Sequence, residues 1–151
     1  DLSGGSGATA AYGILQANYT LTSATTAQSI LDGLPEDDSV LPVTLLAIDQ
    51  MEGGRPGYVL LAESFGNQAV ATKAQALSDH LESALQGHFH YKLARELGQL
   101  QPAQCLLCAD MRELYLDLCR QRGMIEGNIK VEPLRHWPGT LPDSLRPLLR
   151  A

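Results

Sequence analysis

Short apolar runs rich in β-branched residues, bounded by glycine and proline, alternate along this chain with stretches whose apolar groups recur every three or four residues. The first pattern predicts strands and the second helices, in the order helix, strand, strand, helix, strand, helix, strand. In a chain of 151 residues that order predicts one α+β domain: a small mixed β-sheet of about four strands flanked by helices, an α/β sandwich. Two helices that follow strands are expected to cover one face of the sheet.

Residues 1–22 are expected to form a linker or arm, since Asp1 to Ala11 is rich in Gly, Ser, Ala and Thr and Tyr12 to Thr22 has no clean period. Its Ser3–Gly7 run lacks the Gly-Lys-Ser/Thr ending of a phosphate loop. Thr25 to Leu34 predicts a short helix ended by Gly33 and stopped by Pro35. Pro42 to Asp49 and Gly57 to Glu63 read as strands, and the Gly53, Gly54 and Pro56 between them suit an antiparallel hairpin with a loop longer than two residues. From Val70, apolar residues at Ala74, Leu77, Leu81 and Leu85 give the longest helical stripe, with Asn67 as N-cap. Gly87 interrupts it, and a second helical piece runs from about His88 to Leu97. Gln104 to Ala109 is a third strand. Asp110 is expected to cap a helix through Arg122, with Glu113 in the capping-box position and Gly123 at the exit. Asn128 to Glu132 predicts the last strand, so the domain is placed at 23–136, with a Pro-rich tail over 137–151 that wraps the surface.

Charge narrows the function classes. Acidic groups outnumber basic ones 17 to 11, a net −6, which argues against nucleic acid bound through a basic footprint. The bases gather in the second half: residues 1–70 hold Arg55 alone against eight acids, and residues 71–151 hold ten bases against nine. That asymmetry suits a solvated surface, or a face that meets an anionic ligand or a neighbouring domain. No apolar run is long enough for a bilayer, so no membrane partner is expected. Three cysteines form no disulfide framework, and the expected setting is reducing and cytoplasmic.

The chemistry-bearing residues are few. Cys105 and Cys108 have CxxC spacing but fall on a predicted strand, where residues three apart point to opposite faces, so they read as buried hydrophobes and not as a zinc pair. His88 and His90 lack further ligands, no metal site is expected, and they read as surface or cap residues. Asn18-Tyr19-Thr20 fits a glycosylation acceptor, without meaning unless the chain is secreted. Lys130, between Gly127-Asn128-Ile129 and Val131-Glu132-Pro133, reads from spacing as a solvated lysine on an edge strand; a lysine so placed can also set a point charge on a phosphate or carboxylate.

Several pieces in order resemble one family. Pro56-Gly57-Tyr58-Val59-Leu60-Leu61-Ala62-Glu63, the Tyr91-to-Arg95 helix with its Leu97-Gly98-Gln99-Leu100 exit, and the Gly123 to Pro133 stretch around Lys130 are similar to the C-terminal domain of the auxin-responsive acyl-acid amido synthetases, over roughly residues 40–136. The resemblance implies the mobile lid of an adenylate-forming ligase. Such an enzyme activates a carboxylic acid with ATP and Mg²⁺ to an acyl-adenylate and passes the acyl group to an amine or amino acid. It implies an N-terminal adenylation domain in cis as partner, Lys130 as the catalytic cation, and Tyr91 and Arg95 as candidates for the domain interface; the isolated chain is not expected to be active. The alternative is a non-catalytic α+β module that binds a small acid or a protein.

Overall fold

The computed structural model describes residues 24–66, 70–123 and 133–149. Helix α1 (Ala24–Asp32) leads to strand β1 (Val40–Gln50). A short 3-10 turn at Glu52–Gly54 precedes β2 (Gly57–Ser64). Helices α2 (Val70–Gln86) and α3 (Phe89–Glu96) follow, then β3 (Gln104–Cys108), α4 (Met111–Gln121) and β4 (Leu134–Thr140). The strands lie in the order β3-β2-β1-β4. The central pair β1–β2 is antiparallel, and the outer pairs β2–β3 and β1–β4 are parallel. Gly53 and Gly54 turn the β1–β2 hairpin at φ of 82° and 79°, values an L side chain resists. This is the expected α+β fold with a mixed, open sheet. No helix among the described residues is long and apolar enough to cross a membrane.

Helices cover both faces, a correction to the one-face expectation. Leu45, Ala47, Tyr58, Leu60, Ala62, Cys105 and Leu107 pack under α1, α2 and α3. Leu46, Ile48, Val59, Leu61 and Leu106 pack on the other side against Met111, Tyr115, Leu118 and Cys119 of α4. The cause lies in the strands: Leu45 to Ile48 and Tyr58 to Ala62 are continuous apolar runs, the mark of a sheet buried on both sides. A register shift between Pro42 and Thr44 brings Val43 onto the α4 side with Leu46 and Ile48.

The fourth described strand also differs. Asn128 to Glu132 lies outside the described residues, and the strand beside β1 is Leu134–Thr140, which runs into the stretch assigned to the tail. Pro138 and Gly139 had argued against a strand, but proline is admitted at a sheet edge, and β4 is an edge. Trp137, Leu141 and Leu145 are buried against α4, so this segment completes the core. The opposite edge, β3, is closed by α2: the Ser78 hydroxyl accepts from the Cys105 N–H at 2.8 Å and donates to the Ala74 carbonyl at 2.7 Å.

Two capping expectations end differently. Asn67 lies outside the described residues. Asp110 occupies the N-cap of α4 but makes no side-chain capping bond; the Arg112 N–H donates instead to Glu63 Oε2, on β2, at 3.1 Å. A first-turn donor is thus satisfied from a neighbouring strand.

Candidate functional site

Lys130 lies in residues 124–132, outside the described residues. What the structure places is where that link leaves and rejoins the domain. It leaves beyond α4, whose C-cap is Arg122. The Arg122 guanidinium sits 4.0 Å from the centre of the Trp137 ring, and its Nη2 donates to the Pro138 carbonyl at 2.7 Å. The end of α4 is thereby fastened to β4 by a cation–π contact and a charge-assisted hydrogen bond. The chain rejoins at Pro133, whose carbonyl accepts from the Leu45 N–H at 3.1 Å.

Along the same strand, Asp49 at the end of β1 holds β4 from the side. Its Oδ1 is 2.7 Å from His136 Nε2, and its Oδ2 accepts from the Gly139 N–H at 3.3 Å. Both side chains of the pair are about one-fifth exposed. Beside this strand a depression of about 570 Å³ is lined by Gln121, Arg122, Trp137, Thr140 and Ser144 among others. It offers a guanidinium, an amide and hydroxyls, donors suited to a polar ligand.

Tyr91 and Arg95 are turned inward. Tyr91 is fully buried, and its hydroxyl donates to Glu82 Oε1 at 2.6 Å. Arg95 Nε donates to Glu82 Oε2 at 3.0 Å, and its Nη1 to the Leu100 carbonyl at 3.2 Å. Gln86 Nε2 and the Ala103 N–H complete the set around Glu82 at 2.7 and 2.9 Å. Burial works against the ionised Glu82, but the Ala103 amide, the Tyr91 hydroxyl, Gln86 and Arg95 outweigh it and hold its pKa below the usual carboxylate value. Burial, then the Glu82 carboxylate, push the Tyr91 hydroxyl well above its ordinary range. This arrangement fastens α2, α3 and the approach to β3 together.

The side chains that α3 offers outward are others. Phe89, Leu93 and Leu97 recur at steps of four and are exposed. Sequence reasoning passed over them, although their spacing was visible; Tyr91 and Ala94 form a competing stripe on the same short helix, and only the fold shows which one is buried. His88 stands at the N-cap of α3 without a side-chain capping bond, and His90 sets its ring edge-on to Phe89 at 5.1 Å.

The cysteines follow the strand geometry. Cys105 packs on the α2 side and Cys108 against the α4 side, and burial pushes the Cys105 thiol up to about 12. Among the described residues no group of three or more His, Cys, Asp or Glu converges to hold a metal ion.

Comparison with curated proteins and with solved structures gives no match. The family model described as the GH3 family C-terminal domain matches residues 21–138. That span runs from the start of α1 into β4, taking in every helix described above and the link that carries Lys130. The chain therefore belongs to the GH3 family, the family of the acyl-acid amido synthetases, as its C-terminal domain.

Proposed function

We propose that this domain is the lid of an ATP-dependent acyl-acid amido synthetase, and that Lys130 is its catalytic cation. The observation that carries the reading is the family match over residues 21–138. A C-terminal domain of this family implies an N-terminal domain in the same chain, and that larger domain would hold the adenylation site. By the family resemblance, ATP and Mg²⁺ are assigned to the larger domain, where Mg²⁺ would offset phosphate charge.

An acyl-adenylate reacts with water, so its formation needs a closed site, and a lid supplies one. As the carboxylate attacks the α-phosphorus, negative charge grows on the phosphate and on the departing pyrophosphate. An ammonium brought in by the lid stabilises that charge where it develops. The amine or amino acid then attacks the acyl carbonyl, forming the amide and releasing AMP. The first-half-reaction role falls to Lys130 by its position in the Gly127 to Pro133 stretch. The two fastenings that flank the link, Arg122 on β4 and Leu45 on Pro133, support the reading by giving it fixed ends. The free, largely buried cysteines suit work in a reducing cytoplasm.

The test is ATP–pyrophosphate exchange by the longer protein with Lys130→Ala. Exchange should fall by more than about tenfold with the fold intact. Exchange at the wild-type rate removes Lys130 from the mechanism, and a folded parent protein with no exchange for any carboxylic acid favours the non-catalytic binding module.

A further inference from the structure

The depression between the end of α4 and β4 combines two chemistries. Leu118, Leu141 and Trp137 in its lining are buried and apolar. Gln121, Arg122 and Ser144 in the same lining are exposed and bring an amide, a guanidinium and a hydroxyl. A concave site with an apolar part and a few convergent polar groups is the usual form of a small-molecule site.

Two donors in this lining lack the partner that their chemistry calls for. Trp137 is 2% exposed, and its indole N–H, closed to water, has no acceptor among the described residues. Native folds keep few such groups, because an N–H taken out of water without an acceptor is costly. Arg122 is the second. Its guanidinium lies over the Trp137 ring at 4.0 Å and donates to the neutral Pro138 carbonyl at 2.7 Å. Arg95, Arg120 and Arg146 each have a carboxylate within 3.0 Å, whereas no carboxylate among the described residues pairs with Arg122. A guanidinium keeps its charge and presents a planar fork of donors that matches a carboxylate.

The surrounding charge sets the valence of the ligand. Asp143, also in the lining, pairs with Arg146 at 3.0 Å, so Arg122 supplies the one uncompensated charge. One guanidinium near a carboxylate suits a monoanion and disfavours a doubly charged phosphate, which Asp143 would repel. We propose that this depression binds a monocarboxylate with an apolar body. The carboxylate accepts from Arg122, and the body lies against Leu118 and Leu141. Arg122 is exposed and covers the Trp137 ring, so a small turn of its side chain opens the indole N–H to the same carboxylate. The ligand class follows from the lining alone and does not rest on the ligase reading.

The chain holds a single tryptophan, so the full 151-residue protein labelled with ¹⁵N gives one indole N–H resonance, a reporter inside the site. At pH 7 and constant ionic strength, hexanoate should move it downfield to saturation with a Kd below about 1 mM. Hexanol, the body without the charge, and inorganic phosphate, the charge without the body, should give no saturating shift up to about 10 mM. Gln121→Glu sets a second carboxylate into the lining at an exposed position; it should weaken hexanoate at least about tenfold while the β-sheet amides stay in place. Folded Arg122→Gln should do the same. No saturating shift with hexanoate overturns the proposal, as does binding that Gln121→Glu leaves unchanged. An equal response to phosphate overturns it in favour of a general anion site, and an equal response to hexanol in favour of an apolar cleft.

Discussion

Glu82 and Asp49 are carboxylates of equal side-chain exposure, 21% each, and they keep different company. Glu82 accepts from Gln86, Tyr91, Arg95 and Ala103, donors drawn from α2, α3 and the approach to β3. Asp49 meets His136 and the Gly139 N–H, both on β4. The lesson is that burial alone does not rank two charges; the number and spread of the donors does. The Glu82 cluster ties three elements and serves the fold. The Asp49 cluster, with Arg122 over Trp137 beyond it, holds a single edge strand, the one onto which the Lys130 link feeds.

Substitutions sharpen that contrast. Glu82→Ala leaves the buried Tyr91 hydroxyl and the Arg95 guanidinium without their shared acceptor and should cost about 3 kcal/mol in urea unfolding; a loss under about 1 kcal/mol would show that the cluster is not structural. Arg122→Ala removes one cation–π contact and one hydrogen bond, and about 1.5 kcal/mol is expected by the same measurement. Asp49→Ala should cost less than about 1 kcal/mol, since the pair it breaks is partly solvated. A greater loss at Asp49 than at Glu82 would invert the comparison.

Acid should test the Glu82 cluster as well. The folded pKa of Glu82 lies below its ordinary 4.5, so the unfolded chain binds the proton more readily. The contribution of Glu82 to stability is therefore fully present above that ordinary value and fades as pH falls through the folded one. In urea titrations from pH 7 to pH 3, the stability gap between wild type and Glu82→Gln should hold steady above about pH 5.5 and narrow below 4.5. A gap that widens on acidification would contradict the assignment.

Much of the fold was legible because local signals agreed with the tertiary result. The β1–β2 hairpin announced itself by two apolar runs around Gly53 and Gly54, and α2 by its Ala74, Leu77, Leu81 and Leu85 stripe. The CxxC pair was readable from strand alternation alone. Burial of both sheet faces was equally written in the unbroken runs of β1 and β2, but was read as one covered face. β4 was hidden because Pro138 and Gly139 look like breakers, and parallel pairing with β1 is a contact between residues far apart in the chain. At the site, the sequence singled out α3 and nominated its inward side. Tyr91 and Arg95 answer to Glu82, a partner on another helix that no local spacing reveals.

The central claim is that Lys130 acts in adenylation while Tyr91 and Arg95 serve the domain's own architecture. The most direct measurement compares ATP–pyrophosphate exchange in the longer protein for Lys130→Ala and Arg95→Ala, each scaled to its folded fraction. The account predicts a loss of more than about tenfold for Lys130→Ala and a near-parental rate per folded molecule for Arg95→Ala. Parental exchange with Lys130→Ala, or an equal collapse with Arg95→Ala among folded molecules, would contradict it.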